Sequence, residues 1–336
     1  MNLTTTLQPC NLATLQPNVE PYDYKKIGPD NLGDLVFLVK KVAKKRLSTG
    51  YYRKKYHTPW SGGQYHGWLA YEKKSGRVVS VAAALPLRAV LPDGSRVPVT
   101  QMIETFTLPE HRGRGLMTHL VKKILTEHKN TGTRLFFGLL NQNNVHGFVK
   151  KLGFTHTGTM DYYRLGIRTF PLEALCRRCR VPGLFRWWAK KVAAPYSAPE
   201  GFVLQNSAQE EGYGGLLHDA RFFGYKSFTF NRLCQFSGIG SWLKFESGLL
   251  VGDVLLPENC PDAQFDEWLS TLRKIARRAG LHQIVFQAHP RSRLGQKLSA
   301  RFPPNPSWSV CCLAADEAMQ PFLEKMRFCY GDFETF

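Results

Sequence analysis

A mixed α/β fold, with helices on both faces of a largely antiparallel sheet, is predicted by three stretches of this 336-residue sequence. The first is Glu104-Thr-Phe-Thr-Leu-Pro-Glu-His-Arg-Gly-Arg-Gly-Leu-Met117, which reads as a strand, a basic glycine turn and the start of a helix. The second is Leu135-Phe-Phe-Gly-Leu-Leu140, a strand followed by a short helix through Phe148 that closes at Gly153. The third is a return of the order strand, helix, strand, short helix between Gly248 and Arg301.

Apolar and polar residues alternate before Pro109, as a half-buried strand requires. Leu116, Leu120, Val121 and Ile124 then recur at helical spacing and predict a helix over 116–126. Between them, Arg112, Gly113, Arg114 and Gly115 place flexible backbone and two cations at a helix N-terminus. Free N–H groups and the positive end of the helix dipole suit a phosphate or pyrophosphate there. Two common phosphate loops are excluded. A Walker loop needs Gly-Lys-Ser/Thr, which does not follow, and a dinucleotide loop needs a third glycine where Thr118 stands.

The remaining elements follow in order. Residues 1–20 read as a polar lead-in. Residues 22–60 supply the first helices, one spanning 34–47 with Leu35, Leu38, Val39 and Val42 on one face. Strands are predicted over 65–70 and 78–85, joined by the turn Lys73-Lys-Ser-Gly76. Pro92-Asp-Gly-Ser95 makes a second, hairpin-like turn, and a strand over 157–166 closes the first domain. Four prolines punctuate residues 167–200, around a basic apolar helix that contains Trp187 and Trp188. That helix reads as a linker packed between domains, or as a surface helix suited to an anionic leaflet. In the last third, Gly248–Leu256 is a strand, Phe265, Leu269, Leu272, Ile275 and Ala276 mark a helix ending before Gly280, and strand 282–287 and helix 294–301 follow. The turn Pro257-Glu-Asn-Cys-Pro-Asp262 is acidic and lacks the phosphate-type glycines.

Residues 68–164 resemble the GCN5-related N-acetyltransferase (GNAT) superfamily. Its Arg/Gln-x-x-Gly-x-Gly/Ala motif falls on Arg112, Gly115 and Met117, and its later block falls on Phe148, Lys151, Gly153 and Phe154. The resemblance implies a GNAT domain over 21–168, a basic linker over 169–200, and a second, degenerate GNAT-like domain over 201–336 that does not bind CoA. It further implies acetyl-CoA as acyl donor, an amine of a small metabolite or amino sugar as acceptor, and direct transfer. Acyl or aminoacyl transfer to a macromolecule, and a non-catalytic binding role, are the alternatives. Phe106, Thr107 and Leu108 are expected along the pantetheine arm. The turn from Arg112 through Gly113, Arg114, Gly115 and Leu116 to Met117 is expected at the pyrophosphate, with Asn143 and Phe148 nearby. Glu104 is the expected general base. The chain departs from the motif at Met117, where a small residue is usual, and at Val149, where a tyrosine commonly serves as acid. Asn141, Asn143 and Asn144 compete for the family's asparagine, and Tyr162 and Tyr163 are candidate donors to the leaving thiolate.

The formal charge of +19 is partly local, since Lys40, Lys41, Lys44, Lys45, Arg46, Arg53, Lys54 and Lys55 stand together without an acid. A solvated helix face accounts for them, as would attraction to CoA phosphates, an acidic acceptor, nucleic acid or a membrane surface. Tyr51, Tyr52, Tyr56 and Trp60 interleave with these cations, where the resembled fold shapes its acceptor groove. No apolar run is long enough to span a bilayer, and the N-terminus lacks a secretory pattern. Eight cysteines without a disulfide framework suit a cytoplasmic protein, and Cys176-Arg-Arg-Cys179 lacks a second ligand pair, so no metal is expected.

Overall fold

Three antiparallel strands, a helix and a parallel strand organise each half of the chain, and the two halves share one sheet. The structure, a computed structural model, describes residues 21–336. The lead-in expected over 1–20 lies outside the described residues.

The first half begins with β1 (Tyr22–Lys26) and α1 (Leu32–Val42), which buries Leu32, Leu35, Leu38 and Val39. α1 stops short of the helix predicted over 34–47 because Lys44 takes a left-handed φ of +58°, with no glycine there to announce it. α2 (Thr49–Lys55) starts at Ser48, whose hydroxyl accepts from the Tyr51 N–H, and a minimal hairpin of β2 (His57–Thr58) and β3 (Gly63–Gln64) follows. β4 (Gly67–Glu72), β5 (Val78–Val90) and β6 (Arg96–Thr107) form an antiparallel meander. α3 (Leu116–Asn130) buries its predicted stripe of Leu116, Leu120, Val121 and Ile124. It leads into β7 (Leu135–Leu140), parallel to β6. α4 (Gln142–His146) runs into a π-helical turn (Gly147–Lys151) before β8 (Thr155–Gly166).

In the second half come α5 (Leu172–Arg178), α6 (Pro182–Ala193), α7 (Ser207–Glu210), the two-residue β9 (Gly215–Leu216) and α8 (Ala220–Lys226). A second meander follows, β10 (Asn231–Phe236), β11 (Ile239–Phe245) and β12 (Leu249–Leu255). α9 (Asp262–Ala279) is capped by Gly280 at φ +70°, and β13 (Gln283–Ala288) runs parallel to β12. α10 (Arg293–Ser299) and β14 (Asn305–Ala314) complete the repeat.

The sheet order is β1-β4-β5-β6-β7-β14-β8-β13-β12-β11-β10. It reads the same way outward from the central antiparallel β14–β8 pair, so the halves are related by a pseudo-twofold there. Each half gives its last strand to the other. β14 pairs with β7, and β8 pairs with β13. One core lies on the first half, around Leu120, Phe136 and Phe137, and includes Cys311 and Cys312 of β14. A second core gathers Trp268, Leu272 and Phe286. α6 belongs to that second core, where Phe185, Ala189 and Val192 pack beside α9, and not to a crevice between halves.

Candidate functional site

The site forms where two parallel strands part. β6 and β7 are paired from Val99–Leu135 to Met102–Gly138. Beyond that point Leu139 and Leu140 stay with Val310 and Ser309 of β14, while β6 stays with β5. The parting coincides with a β-bulge. Ile103 faces Ala83 and Phe106 faces Val81, so Glu104 and Thr105 together oppose Ala82. Glu104 takes φ +45°, a conformation that non-glycine residues adopt at a cost. At the bulge the Glu104 side chain reaches toward the end of α2.

That side chain is 6% exposed and meets Lys55, itself 1% exposed, with Nζ 2.7 Å from Oε1. The Tyr56 hydroxyl donates to the other carboxylate oxygen. Burial alone would depress the Lys55 ammonium, but the carboxylates of Glu104 and Glu334 outweigh it and hold its pKa above the ordinary lysine value. Burial first, and Glu104 second, push the Tyr56 phenol well above its usual range. Tyr52 stacks on Tyr56, and Tyr225 of α8 donates to the Lys55 carbonyl at 2.8 Å, so the second half helps to hold the α2 end in place. In the sequence Lys55 is one of a basic run. The other cations of that run are exposed, and the run is a solvated face with one inward member. Tyr52, Lys55 and Tyr56, at i, i+3 and i+4, carried the available signal.

Next to the bulge lies the N-terminus of α3. Gly113 and Gly115 both take φ +76°, which turns the chain so that successive N–H groups face outward. The N–H groups of residues 113–118 have no acceptor among the described residues, the situation of a helix start awaiting an anion. The two arginines are exposed and tied back. Arg112 Nε donates to the Thr107 carbonyl at 3.3 Å, and Arg114 donates to the Tyr22 hydroxyl at 3.0 Å. Met117 is half-buried, and its side chain rests where a side chain on Gly147 would stand, which joins α3 to the π-helical turn.

The remaining expected residues divide. Phe106 and Thr107 line the half-buried end of β6, but the Phe106 carbonyl accepts from Ser80 Oγ at 3.1 Å and the Thr107 carbonyl is taken by Arg112. Leu108 is buried, and its N–H donates to Val79, so it ends the strand and does not face the wedge. Leu116 is buried beneath the turn and contributes its main chain only. Phe148 is fully buried, edge-on to Phe154, and supports the site from within the core. Among the asparagines, Asn141 caps α4 and Asn143 is exposed, whereas Asn144 Nδ2 donates to Thr105 Oγ1 on the bulge at 3.0 Å. Asn144, not Asn143, is the one joined to β6. Tyr163 belongs to the second core, and Tyr162 sits opposite Gln287 on β13, so neither is brought to Glu104.

The second half repeats the parting. β12 and β13 pair only from Leu249–Ile284 to Val251–Phe286, and a bulge lies at Gly252. A cavity of about 30 Å³ there is lined by Asp253, Gln287, His289 and Cys329 among others. No glycine turn stands at the start of α9, which begins at Pro261–Asp262. Behind the cavity, His218 Nε2 is 2.8 Å from Asp332 Oδ1, and His218, Asp253 and Cys329 form a buried group that sequence reading missed. The members stand far apart in sequence, so no spacing marks them.

A meander with a bulged third strand, a glycine turn opening a helix, and a parallel strand that parts from the third define the acetyltransferase class of α/β fold. The acetyltransferase (GNAT) domain family matches residues 23–155. An uncharacterized N-acetyltransferase of Methanocaldococcus jannaschii is 29% identical over 145 residues, covering 40% of this chain and 62% of that one. The chain thus spans less than two thirds of the length of that curated relative. Among solved structures, a GCN5-related N-acetyltransferase from Kribbella flavida superposes with TM-score 0.52 at 11% identity, over 88% of this chain and 72% of that one. The N-myristoyltransferase of Saccharomyces cerevisiae with bound myristoyl-CoA superposes with TM-score 0.55 at 10% identity, over 91% and 86%. Both superpositions run through most of the chain and concern the fold alone. The match to the acetyltransferase (GNAT) domain family falls on residues 23–155, the first half as far as the start of β8.

Proposed function

We propose that the protein is an acyl-CoA-dependent N-acyltransferase that moves an acyl group, most simply acetyl, directly onto an amine of a small molecule. One observation carries the reading: the unpaired N–H groups of residues 113–118 stand beside the unpaired edge of β6 at its bulge. Positive-φ glycines keep side chains off that turn, so the residues present fit a pyrophosphate with an extended arm beside it. Acyl-CoA, when bound, supplies an acyl thioester that an amine can attack.

In this reading the N–H groups from Gly113 to Met117, with the charges of Arg112 and Arg114, hold the diphosphate. The main chain from Ile103 to Thr107 orients the arm. The acceptor amine is largely protonated near neutral pH and must lose a proton before it attacks. Glu104 accepts that proton directly or through water, and Lys55 and Tyr56 hold its carboxylate in place. Val149 offers no acid, so the departing thiolate takes its proton from water or from the acceptor.

The reading is tested by following thiol release from acetyl-CoA against a panel of amines, with Glu104→Gln alongside. Release that needs an amine and falls in the variant supports it. Acetyl-CoA that stays intact with every amine, including amine-bearing RNA and peptides, contradicts it.

A further inference from the structure

We propose that the α5–α6 face is a docking surface for an anionic lipid bilayer. Seven large apolar side chains are exposed among the described residues, and six of them fall between positions 170 and 188: Phe170, Leu175, Val181, Leu184, Trp187 and Trp188. They range from 37% to 66% exposed. Scattered exposed apolar residues are ordinary on a soluble surface, but concentration in one stretch of a chain this size is not.

α6 explains how the concentration arises. Phe185, Ala189, Val192 and Ala193 recur at helical spacing and enter the second core. Leu184, Trp187 and Lys191 recur at i, i+3 and i+7 on the opposite side, where no described residue covers them. The core thus takes one apolar stripe of the helix, and Leu184 and Trp187 beside Lys191 are left on the outward side. Lys191 Nζ sits 4.3 Å from the Trp187 ring centroid, an arrangement that keeps the indole outward beside a cation. Trp188 Nε1 donates to the Arg278 carbonyl and Thr169 Oγ1 to that of Arg277, so the C-terminus of α9 and the α5 approach are fastened to the same face.

Charge selects the occupant. Arg177, Arg178, Arg180, Arg186, Lys190 and Lys191 are all exposed. Glu173, the sole acid between Ile167 and Ala198, is buried with Arg177 beside it at 3.7 Å. A rim of cations around Leu, Val, Phe and Trp side chains matches a leaflet with anionic headgroups over an acyl interior. A nucleic acid would meet the cations but leave Leu184 and Val181 without a partner.

The test is sedimentation of the full chain with vesicles of phosphatidylcholine alone and of phosphatidylcholine mixed with phosphatidylglycerol, together with quenching of tryptophan fluorescence by brominated lipid. The wild type is expected to sediment with the anionic vesicles only and to be quenched. Lys190→Ala with Lys191→Ala should weaken binding about 25-fold, at roughly fivefold per cation. Leu184→Ser with Trp187→Ser keeps every charge and should weaken binding at least about tenfold, with quenching lost. Both pairs lie on exposed positions, so the circular dichroism spectrum and Tm should stay near wild type. Anionic-vesicle binding that survives Leu184→Ser with Trp187→Ser, and is not quenched, reflects net charge alone and overturns the proposal. A dimer in light scattering that the same pair dissolves overturns it too, because the stripe would then belong to a second copy.

Discussion

Lys55 Nζ lies 2.7 Å from Glu104 Oε1, in an ion pair buried at the bulge where β6 leaves β7. The pair ties α2 to the bulge of β6, where Glu104 takes φ +45°. A carboxylate so held has one orientation and two resident donors, Lys55 and Tyr56.

Removing the cation should therefore be costly. Lys55→Ala leaves Glu104 buried without a counter-charge, and loss of one partner from a buried pair costs about 3–5 kcal/mol. Urea unfolding is expected to show that loss. Replacing both residues by Met at 55 and Gln at 104 should recover part of it, and a loss of less than about 1 kcal/mol in the single variant contradicts burial of the pair.

Glu104→Gln should separate binding from chemistry. Turnover is expected to fall roughly 100-fold, the scale of a lost general base, while acetyl-CoA affinity stays within about twofold. A variant at full rate removes Glu104 from proton transfer and leaves it a purely structural partner of Lys55.

Asn144→Ala should weaken acyl-CoA binding more than Asn143→Ala, because Asn144 reaches Thr105 on the bulge and Asn143 is exposed. Paired calorimetric titrations of the two variants check the ranking. Equal effects would show that the bond from α4 to β6 does not shape the wedge.

Lys226 makes a pH prediction. Burial, only partly offset by Asp332 and Glu334, lowers its pKa to about 7, and its ammonium donates to the Phe333 carbonyl at 2.5 Å. An unfolded lysine titrates near ~10.4. Between those values the unfolded chain binds a proton that the folded chain lacks, so this residue makes stability rise with pH above 7 and fall again as pH drops through 7. Tm is expected to increase between pH 7 and pH 9, and Lys226→Met should remove that increase. A Tm that changes equally in the variant assigns the effect elsewhere.

Much of the first site was legible because its signals are local. The glycines at 113 and 115, the apolar stripe from Leu116 and the run at Leu135 each encode their element within a few residues. What escaped is long-range. Lys55 and Glu104 are 49 positions apart, and nothing in a basic run says which member turns inward. β14 contains Pro306 and a polar start, and no local pattern tells that it inserts between β7 and β8. The choice of Asn144 over Asn143 depends on one helical step. The pairing of β14 with β7 and of β8 with β13 joins strands far apart in sequence, so no local pattern carries it.

The central claim is that the turn at Gly113–Met117 holds the diphosphate of an acyl-CoA. Calorimetric titration of the purified protein with acetyl-CoA, alongside Gly115→Val, tests it most directly. Gly115 sits at φ +76°, where a β-branched residue is strained and must move the turn. Saturable binding by the wild type that is lost in a folded Gly115→Val variant is the predicted result. Equal affinity in the two proteins, or no binding of acetyl-CoA by the wild type, would contradict it.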